Sequence, residues 1–242
     1  MSALVSAEFL KLRTTRTAYG FLAAIVLLTL GVVAANSANV DLRTKEDLVE
    51  ALSGAGIAAA LLLVLGIVAT TGEHRHGTIT SSLLASPDRR RLIGAKVLAY
   101  LVTGALLGLA AVLATLAVAL PWLSARDAPL DLLDAGDYLG LFAKGVAVSA
   151  LSGAIGVGIG AIVRNQVAAV VGTLIYLFVL EPVIGVISSH VAAYTIGGSQ
   201  SALTAAPVDD ALAPLAAGFV LAAWALALAL VGAALEERRD VV

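Results

Sequence analysis

The sequence predicts an all-α integral membrane protein: six transmembrane helices, an N-terminal interfacial helix and a short helix in the basic loop between spans two and three. Three observations carry this. Of the 242 residues, 60% are hydrophobic and 13% charged, with a mean hydropathy of +0.99, far outside the range of a water-soluble domain. The apolar residues fall into six runs, each near the roughly 20 residues a helix needs to cross a bilayer. The cations gather on one side of those runs. One membrane domain over residues 1–242 is the natural division. The absence of cysteine excludes disulfides, thiolate metal sites and cysteine nucleophiles.

In residues 1–16, Val5, Phe9 and Leu12 share a helical stripe while Glu8, Lys11 and Arg13 lie off it, the pattern of an interfacial helix. A signal peptide would end in a small-residue cleavage site, whereas here three cations directly precede a full-length apolar run. The first span covers residues 17–35. An acidic outer loop follows, with Asp41, Glu46, Asp47 and Glu50 against Arg43 and Lys45. The second span, 54–70, leads into residues 72–96, which carry Arg75, Arg89, Arg90, Arg91 and Lys96. Within that loop, 77–86 suits a short helix. Ser86, Pro87 and Asp88 then read as N-cap, first residue and first-turn acid of the third helix, which enters the membrane near Lys96.

The third span, 96–120, is expected to end before Pro121 and Trp122, an aromatic at interfacial depth. Asp127, Asp131, Asp134 and Asp137 mark the next outer loop. The fourth span, 139–163, has Lys144 near its outer end and turns at Arg164, Asn165 and Gln166. The fifth, 167–187, is interrupted by Glu181 and Pro182. A mixed segment, 188–214, precedes the sixth span, 215–235, which closes in Glu236, Glu237, Arg238 and Arg239.

Orientation follows from counting. Lys11, Arg13, Arg16, Arg75, Arg89, Arg90, Arg91, Lys96, Arg164, Arg238 and Arg239 lie on one side, eleven of the fifteen cations. The positive-inside rule puts that side, and both chain ends, in the cytoplasm.

Glu181 is the one acid expected inside a span. An intramembrane acid suggests a proton or substrate relay; alternatively Pro182 breaks the helix near the outer leaflet and Glu181 braces a bent or re-entrant segment. His74 and His76 form an H-x-H pair beside Glu73, but on a helix they diverge and no third ligand cluster accompanies them, so a solvated basic loop is expected and no metal. Gly104 with Gly108, and Gly156 with Gly160, have the spacing of close helix approach, within the bundle or in a dimer. The sequence has no phosphate-binding loop, zinc-protease motif or serine-hydrolase motif. Any ATP-derived energy must come from another subunit.

In order, AEFLKLRTTRTAY near the start, EHRHGTITSSLLASPDRRRLIGAK in the basic loop and FVLEP late in span five, on six spans with both ends inside, resemble the membrane permease subunit of bacterial ABC type-2 exporters. The same fold is found in O-antigen exporters and the G subfamily of eukaryotic ABC exporters. The resemblance implies that residues 1–16 are the connecting helix, 77–86 the coupling helix and 188–214 an outer re-entrant region. It implies ATPase-coupling contacts at Glu73, Arg75, Gly77, Thr78, Leu83 and Arg89, and a transport cavity lined mainly by spans two and five. Two permease chains, identical or related, would assemble with two ABC ATPase subunits in the cytoplasmic membrane. ATP and magnesium would sit on the ATPase, with no cofactor or enzymatic site in this chain; membrane lipid, and no nucleic acid, completes the expected partners. Two other readings stand beside this one: a proton-coupled secondary transporter using Glu181, and a non-transporting membrane scaffold or immunity protein.

Overall fold

A computed structural model describes residues 1–39, 43–75, 88–204 and 210–238. The interfacial helix α1 (Ser2–Thr14) breaks at the extended Thr15 and is followed by α2 (Arg16–Asn39), the first span. A short helix α3 (Lys45–Ala51) leads to α4 (Ala55–Arg75), the second. The third and fourth spans are α5 (Arg89–Ser124) and α6 (Ala135–Val163), joined through a 3-10 turn at Leu130–Leu132. The fifth is composite: α7 (Gln166–Ile175), a π turn (Tyr176–Leu180) and α8 (Glu181–Ile187). Two short helices, α9 (Ser189–Ala192) and α10 (Ile196–Thr204), return the chain to α11 (Pro214–Arg238), the sixth. All six stretches are long and apolar enough to cross a membrane. This is a multi-pass membrane protein, and no strand occurs among the described residues.

The helices overrun the apolar runs because hydrogen-bonded turns continue into the polar ends. The cap of α5 differs from expectation: Asp88, not Ser86, is the N-cap, its carboxylate accepting the Arg91 N–H at 3.1 Å. The proposed short helix at 77–86 lies outside the described residues. With 36 residues, α5 is about 54 Å long at 1.5 Å per residue, well beyond a hydrocarbon core of about 30 Å. The helix is therefore too long to lie wholly within the hydrocarbon core, and Arg89 to Arg91 occupy its first turn.

Neither expected proline break occurs. α5 runs through Pro121 to Ser124, because a proline removes only its own N–H and the last turn closes on the Pro121 carbonyl with the Ala125 N–H at 3.0 Å. In the fifth span the π turn absorbs Pro182. The Glu181 N–H bonds back five residues to the Tyr176 carbonyl, and the helix resumes with the proline in its first turn, where a missing N–H matters least.

α6 stands at the centre, against α4, α5 and α11. Its glycines make this geometry: a Cβ on Gly156 would overlap the Leu63 carbonyl of α4, and one on Gly153 would lie 2.6 Å from the Tyr100 carbonyl of α5. Gly104 of α5 meets the α6 backbone at Ser149 in the same way. The two glycine pairs therefore pack helices within this chain. Buried hydroxyls bond back to their own helix, Thr70 to Gly66, Thr103 to Ala99 and Ser152 to Val148, at 2.6–3.0 Å.

The end of the bundle carrying the Asp-rich segments is more ordered than a pair of polar loops. Leu48, Leu52, Leu123 and Leu133 form a small apolar cluster with Val33 and Ala119, and Lys45 pairs with Asp137 at 2.7 Å. Asp134 and Asp137 form a reciprocal capping box at the start of α6, at 2.9 and 2.8 Å. Asp134→Ala is expected to cost about 1 kcal/mol, read as a drop of a few degrees in the unfolding midpoint of the detergent-solubilised protein.

Candidate functional site

At the opposite, basic end, α1 lies against α5 and α2. Val5 and Leu12 pack with Ile25, Leu62 and Ala99 as their stripe predicts. Glu8 was expected on the solvated face but is only 3% exposed, because it meets a cation that the apolar run of α5 carries inward. Lys96, also 3% exposed, places Nζ 2.6 Å from Glu8 Oε2 and 2.8 Å from Glu73 Oε1. Lys11 closes the ring, 2.7 Å from Glu8 Oε1 and 2.6 Å from Glu73 Oε1. Two carboxylates and two ammonium groups thus join α1, α4 and α5 with balanced charge. Burial lowers the Lys11 pKa, but hydrogen bonds and attraction from Glu73 and Glu8 outweigh it and hold the group above its ordinary value. It stays protonated throughout the physiological range.

A second cluster centres on Glu236 in the last turn of α11. Arg164 grips it with both arms of the guanidinium, Nε to Oε1 at 3.0 Å and Nη2 to Oε2 at 2.6 Å. The residue ends α6 in the left-handed region, φ 56°, where a side chain with Cβ is strained by about 1–2 kcal/mol; the buried carboxylate offsets that strain. His74 on α4 bonds the same carboxylate at 3.0 Å and its own Thr70 carbonyl at 3.2 Å. It is part of the helix end and not of a solvated loop; His76 lies outside the described residues. Arg89 reaches the Glu236 carbonyl and Arg90 the Glu237 carboxylate. No three-residue His, Asp or Glu group that could hold a metal occurs among the described residues.

Of the residues expected to touch a partner, Gly77, Thr78 and Leu83 lie outside the described residues. Glu73 is buried in the first cluster. Arg75 is exposed, 3.4 Å from Gln166, and Arg89 is half-buried. The segment 76–87 is therefore bracketed by two helix ends, each tied to other helices by buried charge. Glu8, Lys11, Lys96, Arg164 and Glu236 were not singled out from the sequence. The available signal was Lys96 itself, a cation within an apolar run, which needs a carboxylate from elsewhere in the chain.

Towards the acidic end, Glu181 is 8% exposed and accepts the Gly197 N–H at 2.9 Å. It thereby holds the first turn of α10. That helix dips into the bundle: Ser199, Gln200 and Leu203 are buried, and Gln200 Nε2 donates to Ser152 Oγ at 2.8 Å, close to the midpoint of α6. A cavity of about 400 Å³ opens between α4, the π turn and α10, with Glu181 in its wall.

The sequence profile of the ABC-2 family transporter proteins matches residues 4–180, from α1 to the last residue of the π turn. The chain belongs to the ABC-2 transporter family. No curated protein matches it. As an ABC-2 protein it is a membrane component of an ABC transporter, and membership implies an ABC ATPase as partner. Both charge clusters involve matched residues, whereas Glu181, α10 and α11 lie beyond the match.

Proposed function

We propose that this ABC-2 protein is the permease subunit of an ATP-driven exporter, moving a hydrophobic or amphiphilic substrate across the cytoplasmic membrane with energy from a separate ATPase subunit. The basic end faces the cytoplasm, on the positive-inside argument, and a second permease chain completes the transport unit. ATP and magnesium belong to the partner. Segment 76–87 is the docking element, with Arg75, Gly77, Thr78, Leu83 and Arg89 as its contacts and Glu73 as the brace behind them.

One observation carries this reading: the two helix ends flanking 76–87 are joined to α1 by the buried ion pairs of Lys96 with Glu8 and Glu73, and to α11 by hydrogen bonds of His74 and Arg89 with Glu236, which Arg164 at the end of α6 also holds. A push on the segment is delivered to five helices together, because charges held in a low-dielectric interior resist separation. A lipid-anchoring basic loop would need no such bracing. The double variant Thr78→Ala, Leu83→Asp, co-expressed with the ATPase subunit, is expected to reach the membrane normally. It should lose permease-dependent ATP turnover at least tenfold. Unchanged turnover in an assembled complex would remove the coupling assignment. Glu181, buried with no cationic partner among the described residues, supports a second reading, proton-coupled transport, which requires flux that follows a pH gradient without nucleotide and ceases in Glu181→Gln.

A further inference from the structure

Four acids are buried among the described residues, Glu8, Glu73, Glu181 and Glu236. Three are ion-paired: Glu8 and Glu73 to Lys96 and Lys11, Glu236 to Arg164. Glu181 is the exception, with no cationic partner among the described residues, and it is the one in the wall of the cavity between α4, the π turn and α10. From this we infer that the cavity is a recognition site for a lipophilic organic cation, a substrate class that rests on the permease reading above.

The carboxylate is fixed by neutral groups alone. Gly197 N–H binds Oε1, and a Cβ on Gly197 would overlap Oε2, so this glycine lets the carboxylate lie flat on α10. The Thr195 hydroxyl also approaches it, with the Ala192 carbonyl as a second acceptor at 2.7 Å. The Tyr176 hydroxyl and the Ile196 N–H complete its partners; all of them are neutral, so hydrogen bonds are supplied and a counter-charge is not. A buried carboxylate is costly unless an opposite charge joins it. The rest of the lining is neutral: Ile57, Leu177, Phe178 and Pro182 supply apolar wall, Gln200 and Thr204 supply hydrogen-bonding groups. A volume of about 400 Å³ falls within the range of sites for drug-sized ligands. Phe178 in the cavity wall is 64% exposed, on an apolar flank of span five that the exposed Val179, Leu180 and Val183 continue. A ligand of this kind would enter from the hydrocarbon phase, with its charge directed at Glu181.

Tetraphenylphosphonium and tetraphenylborate carry the same four-phenyl shell with opposite charge. They are titrated against the purified chain in lipid nanodiscs, with protein-free discs subtracted. The phosphonium is expected to bind saturably and at least tenfold more tightly than the borate. Glu181→Gln should lose that preference and Glu181→Asp retain part of it. Phe178→Ala, which alters the exposed wall only, should weaken phosphonium binding with an unchanged unfolding midpoint, and keeps the test open should Glu181→Gln fail to fold. Equal affinity for the two ions, or an unaffected Glu181→Gln, overturns the inference. Permease-dependent ATP turnover, measured separately with the ATPase subunit, survives such a result if only the substrate class is wrong, and is missing from the wild type if the permease reading itself is wrong.

Discussion

Lys96→Met is expected to lower the unfolding free energy by about 3–5 kcal/mol, the cost of removing one partner from a buried ion pair. The substitution keeps an unbranched chain of similar length, so little packing is lost and the effect is electrostatic. Glu8 and Glu73 would be left buried within reach of each other, with only the half-exposed Lys11 between them. Because the site joins α1, α4 and α5, the loss should appear as detachment of the interfacial helix before global unfolding, seen as faster proteolysis or hydrogen exchange within residues 1–16. Neutralising the stranded acids is the decisive control. The triple variant Lys96→Met, Glu8→Gln, Glu73→Gln should recover most of the lost stability, since two neutral amides cost far less to bury than two unpaired carboxylates. Equilibrium unfolding in mixed micelles reads all three proteins; a single variant within 1 kcal/mol of wild type would show that the cluster is solvated and carries no bracing role.

That cluster also marks the boundary of what was legible in the sequence. The spans were visible because roughly 20 apolar residues in a row have few other uses. Local polar signals were weaker guides. Asp88 rather than Ser86 caps α5, since each has a short side chain able to take the role and only the backbone decides between them. Pro121 and Pro182 did not end their helices, because whether one missing N–H breaks a helix depends on the next turn's hydrogen bonds. Glu8 was placed on the solvated face by its position relative to Val5, Phe9 and Leu12, and moved inside by a lysine 88 residues away. No periodicity within α1 contains that information. The pairing of Arg164 with Glu236, 72 residues apart, was hidden for the same reason. The glycine spacings of α5 and α6, by contrast, were readable as close packing, and only their partners were open.

Those glycines carry the other large expectation. Gly156→Ala should destabilise the bundle by about 1–3 kcal/mol, the usual cost of overpacking, and Gly156→Leu should prevent folding. Between helices in lipid there is no hydrophobic gain to restore after they part, because the surrounding chains are as apolar as the helix faces; close van der Waals contact is what holds them. A Cβ at 156 overlaps the Leu63 carbonyl, so α4 and α6 must separate along the whole seam where Gly66 meets Gly153. Gly172→Ala on α7, where nothing lies within 4 Å of the added carbon, should instead be neutral or stabilising by up to about 1 kcal/mol from helix propensity. The chemical nature of the obstacle allows a sharper test. At Gly108 the two nearest atoms belong to the Ser149 side chain, with the Gly145 carbonyl behind them at 3.3 Å, so Ser149→Gly should relieve most of the effect of Gly108→Ala. At Gly156 the obstacle is backbone, and truncating the side chain with Leu63→Ala should bring no relief. Thermal unfolding of the four single and two double variants distinguishes the cases, and a Gly156→Ala protein rescued by Leu63→Ala would mean that side chains, and not the two backbones, set the distance between α4 and α6.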